Sequence, residues 1–432
     1  MRSVLSVKAI LPTTELPPNV WRLLAVRTLR SFSQGYLNVV APLYLISLGM
    51  SPAGLGLLFT TSFLLGAGLT LATGISADRI GRKPFLIAFT VLMFAWGALY
   101  ASTTFLPVLL MISAIAGIDR GGGSSGGGQS GPFQPAESAI LADLVPPSQR
   151  HEVFSLNSFL GAAAAAAGTA VSGLPVWLGG LHLGNLNGDR LLFACTAAIG
   201  LASLALFSGL PEPPRRKREK RQGILTKPSA QLVLRQSLAS ACNAVGSGMV
   251  GTMLVVWFNV RFHVGAASIG PMLTISYVLT ALSFFAAAAV ARRIGSVRLI
   301  VMSRLMVAAV VVAMAFAPTF LIAACLNVFR QVFSQMITPV RQSFTMGLFP
   351  TEERASVSGL TGVVRRVGAA VSPSLTGAML SEGTLELPFF ISGLLQVASA
   401  AMYFWFFSHL DDRPFPAQAT ESTPLSVGRI EG

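Results

Sequence analysis

The sequence predicts an all-α membrane protein with twelve transmembrane helices in two pseudo-symmetric six-helix halves. Three observations lead there: a composition too apolar for a water-facing surface, apolar runs of bilayer length, and an internal repeat that maps one half onto the other. Of 432 residues, 53% are hydrophobic and only 11% charged, and the mean hydropathy is +0.66. A globular surface could not be covered with so little polarity. The net charge of +14 does not indicate a nucleic-acid partner, because the cations gather in short loops between apolar segments, where they fix orientation.

Runs of about twenty apolar residues, enough to cross a bilayer, fall near 21–48, 53–76, 84–103, 106–143, 152–179 and 190–210. A break follows over 211–236. It holds Arg215, Arg216, Lys217, Arg218, Lys220 and Arg221 between prolines, the composition of a flexible basic linker. Runs resume near 237–259, 267–290, 298–317, 319–347, 354–380 and 386–408, and the remainder, 411–432, reads as a disordered tail. The expected organisation is therefore a first half over 1–210, a linker over 211–236, a second half over 237–410 and the tail. Residues 1–20 are interrupted by Lys8, Pro12, Glu15, Pro17 and Pro18, so no cleavable signal is expected and the first span serves as its own insertion signal.

Loop charge sets orientation. One side receives Arg79, Arg82, Lys83, Arg150, the linker cluster, Arg292, Arg293, Arg298 and Arg354, and the other only Arg190 and Arg261. The positive-inside rule then places both termini and the linker in the cytoplasm, for a multi-pass protein of the plasma membrane. Trp177 and Trp257 fall near the outer interface, where they either join the aromatic belt or pack. Cys195, Cys242 and Cys325 lie within apolar runs and read as packing residues, with no Cys/His spacing for a metal. No cofactor is expected.

The repeat is explicit in the residues. Pro135, Leu144, Pro146, Arg150 and Val153 recur at one constant offset as Pro339, Leu348, Pro350, Arg354 and Val357. Arg79-Ile80-Gly81 recurs as Arg293-Ile294-Gly295 at a larger offset. An insertion between the two motifs in the first half accounts for the difference, and the glycine-rich run 121–131 lies there. That run reads as a broken helical segment, since each glycine weakens a helix by about 1 kcal/mol. It is not a phosphate loop, because no Lys-Ser/Thr follows.

Between the second and third runs stands a charged turn, Gly74-Ile75-Ser76-Ala77-Asp78-Arg79-Ile80-Gly81-Arg82-Lys83-Pro84. Gly81 permits a tight turn, Pro84 suits the first turn of a helix, and Asp78 is a carboxylate among cations, placed to latch onto an arginine or a helix N-terminus. Gly74, Asp78, Arg79, Gly81, Arg82 and Lys83 match every fixed position of G-x-x-x-D-R-x-G-R-[K/R], and here the sequence resembles the major facilitator superfamily. The resemblance implies the major facilitator fold, with a substrate site near the midplane between the halves. It also implies a cytoplasmic latch in which Asp78 faces the start of span eleven and Arg82 pairs with an acid at the end of span four, matched here by Asp143. In the repeat Asp78 aligns with Arg292 and Arg82 with Ser296, so only the first half keeps the whole latch.

Polar residues inside the spans mark the candidate site. Arg27, Arg30, Ser31, Gln34 and Asn38 share one face of span one, and Asn327, Arg330, Gln331, Ser334, Thr338 and Arg341 share one face of span ten. Arginine in lipid costs about 2.5–3.5 kcal/mol at a helix centre, so both stripes are expected to line water. The family's cavity is formed by spans one, four, seven and ten. Span four adds Asp119 and Arg120, the latter resembling the arginine of the family's R-x-x-Q-G motif, although its Gln and Gly are out of register. Arg365 and Arg366 lie within span eleven. With Arg30, Arg120, Arg330, Arg365 and Arg366 set against Asp119 and Glu137, the interior should favour anionic or zwitterionic solutes. His151, His182, His263 and His409 lie outside the spans' middles, so Asp119 is the expected proton carrier, with burial favouring its neutral form and Arg120 its charged form.

The expected function is secondary active transport of a small organic solute by alternating access, as proton-coupled efflux; the protein is not an enzyme, and it is expected to act as a monomer. An anion or metabolite importer, a lysolipid flippase and a non-transporting sensor of the same fold are the alternatives. ATP-driven pumping is disfavoured, since no G-x-x-x-x-G-K-[ST] occurs.

Overall fold

A computed structural model describes residues 16–81, 83–116, 137, 140–141, 144–146, 150–175, 188–209, 227–349 and 354–408. Their helices are α1 (Pro18–Ser47), α2 (Pro52–Ile80), α3 (Lys83–Ser102), α4 (Leu106–Ala116), α5 (Arg150–Val171) and α6 (Gly188–Ser208) in the first half. The second half holds α7 (Lys227–Gly251), α8 (Leu254–Phe262), α9 (Ala266–Ile294), α10 (Ser296–Ala315), α11 (Phe320–Leu348), α12 (Arg354–Ser381) and α13 (Leu387–Phe407). These match the apolar runs closely, and α7 with α8 forms one 34-residue span, Ser229–Phe262. The fold is that of an all-helical membrane protein, and α7 begins at Lys227, inside the stretch expected as linker.

Among the described residues, eight spans are long and apolar enough to cross a bilayer. α1 falls below that hydropathy because it carries the arginine stripe, yet its 30 residues reach about 45 Å at 1.5 Å per residue. The surface is that of a lipid-facing bundle: Leu57, Met111, Leu234, Leu321, Leu394 and Trp405 are each at least 60% exposed, while Ser, Thr, Asn and Arg side chains are buried. Cys195 and Cys325 are exposed on helix surfaces, contrary to the packing role expected of them. Trp257 is buried, donating to the Leu385 carbonyl at 3.0 Å and packed against Phe389. It is therefore a packing residue and not a belt residue; Trp177 lies outside the described residues.

Helix packing repeats as the sequence does. In the first half α3 packs on α6, α1 on α5 and α6, and α4 on α2 and α3. In the second, α10 packs on α13, α7 on α12 and α13, and α11 on α9 and α10. The repeated Arg-Ile-Gly motif ends in the same backbone device twice: Gly81 and Gly295 join their helix pairs at φ 107° and 91°, a region costly to residues with a Cβ.

The halves meet through α2 against α12 and α5 against α9, with α1 touching α8 and α9. Gly56 and Gly377 bring the α2 and α12 backbones together, and a Cβ at either would strike a backbone carbonyl of the other helix. Close by, the Ser374 hydroxyl lies 2.7 Å from that of Thr60. In the second contact the hydroxyls of Thr169 and Thr274 lie 2.9 Å apart. These residues stand toward the end of the bundle opposite the Gly81 and Gly295 turns, which is called here the far end, the turn end being the basic end. The far end has one buried apolar cluster drawn from both halves, including Tyr44, Leu55, Trp96, Met253, Phe258 and Ile269. Toward the basic end the clusters separate. One holds Leu23, Leu86, Val153 and Phe207 of the first half, and another Ile300, Ile337, Tyr403 and Phe407 of the second. Among the described residues, then, the halves share one buried cluster at the far end and keep separate clusters toward the basic end.

Candidate functional site

Below the shared far-end cluster, a cavity with about 750 Å³ of empty space, including its open mouth, lies between the halves. The first half lines it with Leu37, Asn38, Pro42, Phe59, Ser62 and Ser113, the second with Gly251, Thr252, Leu254, Leu273 and Tyr277. Its walls bend for sequence reasons. Pro42 has no N–H to return to the Asn38 carbonyl, which leaves a main-chain acceptor beside the Asn38 side chain. Opposite, the helix breaks between Gly251 and Leu254, where Thr252 folds its hydroxyl onto the Gly248 carbonyl at 2.7 Å. Irregular backbone at membrane depth is tolerated where it lines a cavity. This break was not anticipated; the cluster Gly246, Gly248, Gly251 was its one trace in the sequence.

The lining is mainly apolar, with polar atoms at fixed points. Ser113 accepts from Trp96 Nε1 at 3.1 Å and pairs with the Tyr100 hydroxyl, and Ser62 donates to the Ser113 carbonyl at 3.1 Å. The Tyr277 hydroxyl bonds the Asn38 side chain across the halves and lies within electrostatic reach of Arg330. Arg330 is buried, giving Nε and Nη2 to Asn327 Oδ1 at 3.0 and 2.8 Å, while Asn327 reaches the Met272 sulfur at 3.8 Å. Among the described residues no carboxylate lies within 4.0 Å of Arg330, so it leaves positive charge behind Tyr277. Ser334, one turn on, is half-buried.

The stripe on α1 behaves differently. Arg27 and Arg30 are 2% and 4% exposed and face Glu137 Oε2 at 3.8 and 3.3 Å. Their expected place along water is corrected: they are packed around a buried carboxylate, which offsets the desolvation of two guanidiniums. The two arginines lie about 13–18 Å along α1 from its start, so Glu137 sits in the basic-end half of the bundle. Asn38 alone of the expected cavity residues on α1 lines the cavity, and Gln34 is half-buried between the two.

At the charged turn, Gly74, Asp78 and Arg79 belong to the last turns of α2, their side chains outside the described set. Gly81 makes the turn, and Lys83 Nζ donates to the Ser208 carbonyl at 3.0 Å. Arg82, Asp119, Arg120, Asp143 and the run 121–131 lie outside the described residues. Sequence reasoning also passed over Arg304, a cation near the middle of α10, buried to 1% exposure. Its rarity inside a span was the available signal.

Comparison with known proteins places this geometry. The chain matches the sequence profile of the Major Facilitator Superfamily over residues 23–237 and again over 236–429. It is 24% identical over 412 residues to an uncharacterised membrane protein of Saccharomyces cerevisiae, covering 86% of this chain and 90% of that one. It is 24% identical over 382 residues to the multidrug efflux protein YfmO of Bacillus subtilis, covering 88% and 90%. Its backbone resembles the crystal structure of a bacterial homolog of the human lysosomal transporter Spinster, in an inward-facing and occupied conformation. There the TM-score is 0.68 at 18% identity, over 92% of this chain and 98% of that one.

Proposed function

The chain belongs to the major facilitator superfamily, a family of transporters and not enzymes, and on that premise we propose that it expels a small organic solute in exchange for protons. The observation that carries this reading is the cavity between the halves, capped by a shared cluster at the far end and flanked toward the basic end, among the described residues, by clusters that stay within their own half. With the basic end cytoplasmic and the protein in the plasma membrane, this is a loading conformation for an exporter, and the resemblance to a named efflux protein supports the direction. The solute has an apolar body for the Leu37, Phe59 and Leu273 walls, and an anionic or zwitterionic group reaches toward Arg330 past Tyr277.

In the alternate state the basic end closes. Asp78 then docks on the start of α12 while Arg82 pairs with Asp143, and the basic stretch 211–226 tethers two halves that rock as units. Proton exchange is assigned to Asp119. Glu137 is a buried carboxylate that offers a second place for a proton, and its protonation would loosen Arg27 and Arg30.

The test is gradient-driven efflux from proteoliposomes beside exchange at equal pH, with a solute found by thermal-shift screening of the purified protein. Wild-type protein should respond to the gradient, and Asp119→Asn should lose that response while retaining exchange. An unchanged response in Asp119→Asn removes that residue from coupling, and a wild type indifferent to the gradient overturns proton-linked export.

A further inference from the structure

The second half holds a cluster of cations that neither the cavity nor the latch uses. Between residues 227 and 349 the sequence contains no Asp or Glu, yet it places Arg304 on α10 and Arg341 on α11. Arg304 is almost completely buried. Its Nη1 donates to the Ser399 carbonyl and hydroxyl at 3.0 and 2.7 Å, and its guanidinium lies over the Tyr403 ring at 4.7 Å. Its Nε and Nη2 are buried without a hydrogen-bond partner, and the Tyr403 hydroxyl lies beside the Gln236 side chain. Arg341, half-buried, is within electrostatic reach of Arg304, Arg365 and Tyr403. Arg365, on α12, is exposed. Among the described residues no carboxylate lies within 4.0 Å of these three arginines, and the described carboxylates of this half, Glu382 and Glu386, stand at the far end.

Three guanidiniums and a phenol hydroxyl, with open donors on Arg304 and no carboxylate within 4.0 Å among the described residues, have the composition of a site for a multiply charged oxyanion. Arginine's planar fork matches phosphate oxygens in pairs, and the low dielectric strengthens each bond. Arg341 follows Arg330 by eleven residues, three helical turns, so it shares that face of α11 about 16 Å nearer the basic end. Arg365 provides the accessible edge, and Arg304 the buried floor.

We propose that Arg304, Arg341, Arg365 and Tyr403 form a phosphate-binding site, filled from the basic end by a soluble phosphate or by the phosphate of a lipid headgroup. Binding at this site does not depend on transport. Purified full-length protein in phosphate-free detergent is titrated with inorganic phosphate against chloride at matched ionic strength, with thermal unfolding as the readout. The same measurement is made in nanodiscs of phosphatidylcholine with and without phosphatidylglycerol. Phosphate should raise Tm saturably. Arg341→Gln and Arg365→Gln should each weaken the response at least about tenfold, a loss of about 1.4 kcal/mol, while Arg261→Gln at the far end responds as wild type. Stabilisation by phosphatidylglycerol that abolishes the phosphate response identifies the headgroup as the occupant, and a phosphate response indifferent to lipid identifies the soluble anion. No shift with either source, or a shift equal in wild type, Arg341→Gln and Arg365→Gln, overturns the site.

Discussion

The two halves repeat one helix packing and one pair of turn glycines, but they settle their buried cations in different ways. In the first, Arg27 and Arg30 close around Glu137, so one carboxylate offsets part of the charge of two buried guanidiniums. In the second, Arg330 leans on the neutral Asn327 and Arg304 on Ser399 and Tyr403, and the charge remains for something else to meet. Duplication of a fold therefore does not duplicate its field. Backbone geometry is held by small residues at contacts and turns, whereas the potential depends on a few side chains that each half chooses separately.

Removing the counter-charge from one half should have the largest effect. Glu137→Gln removes the carboxylate that two buried guanidiniums face and should cost about 3–5 kcal/mol, read as a fall in Tm of the purified protein, with recovery when Arg27 and Arg30 are also replaced by Met. The matching change in the other half, Arg341→Met in phosphate-free buffer, should leave Tm level or raise it. Equal losses in both would erase the electrostatic difference.

The backbone side of the comparison predicts equality. Gly81→Ala and Gly295→Ala both force a Cβ into a positive-φ turn and should each cost about 1–3 kcal/mol, by similar amounts in the same unfolding assay. A large cost at one and none at the other would mean that the repeat is not carried by the turns.

A smaller and purely kinetic difference is expected at the turn's charges. Asp78→Asn should slow transport several-fold with membrane insertion unchanged, while Arg292→Asn, at the aligned position, should leave the rate near wild type. Uptake at the wild-type rate in Asp78→Asn would sink the latch.

Much of the fold was legible because its signals are long and redundant: runs of apolar residues, a charged turn matching a motif, and a repeat at constant offset. Each of these survives a misread residue. The site was less so. The stripe on α1 was read from spacing, and spacing gives a face without telling what fills it. Glu137 is distant in sequence from Arg30, and only the folded bundle brings the two within 3.3 Å. Tyr277 carried no signal in the sequence, since its role depends on Asn38 across the cavity. The break after Gly251 needed backbone, because glycines in a span serve close packing as readily as a kink.

The contact of Gly56 with Gly377 has a further consequence. Main chain meets main chain there, so the two helices have no rotamers to exchange as they turn against each other. A joint of this kind behaves as a plain bearing: its friction comes from sliding surfaces and not from interlocking teeth. Even a single Cβ there, as in Gly56→Ala, would strike the Pro373 carbonyl and wedge the bearing open.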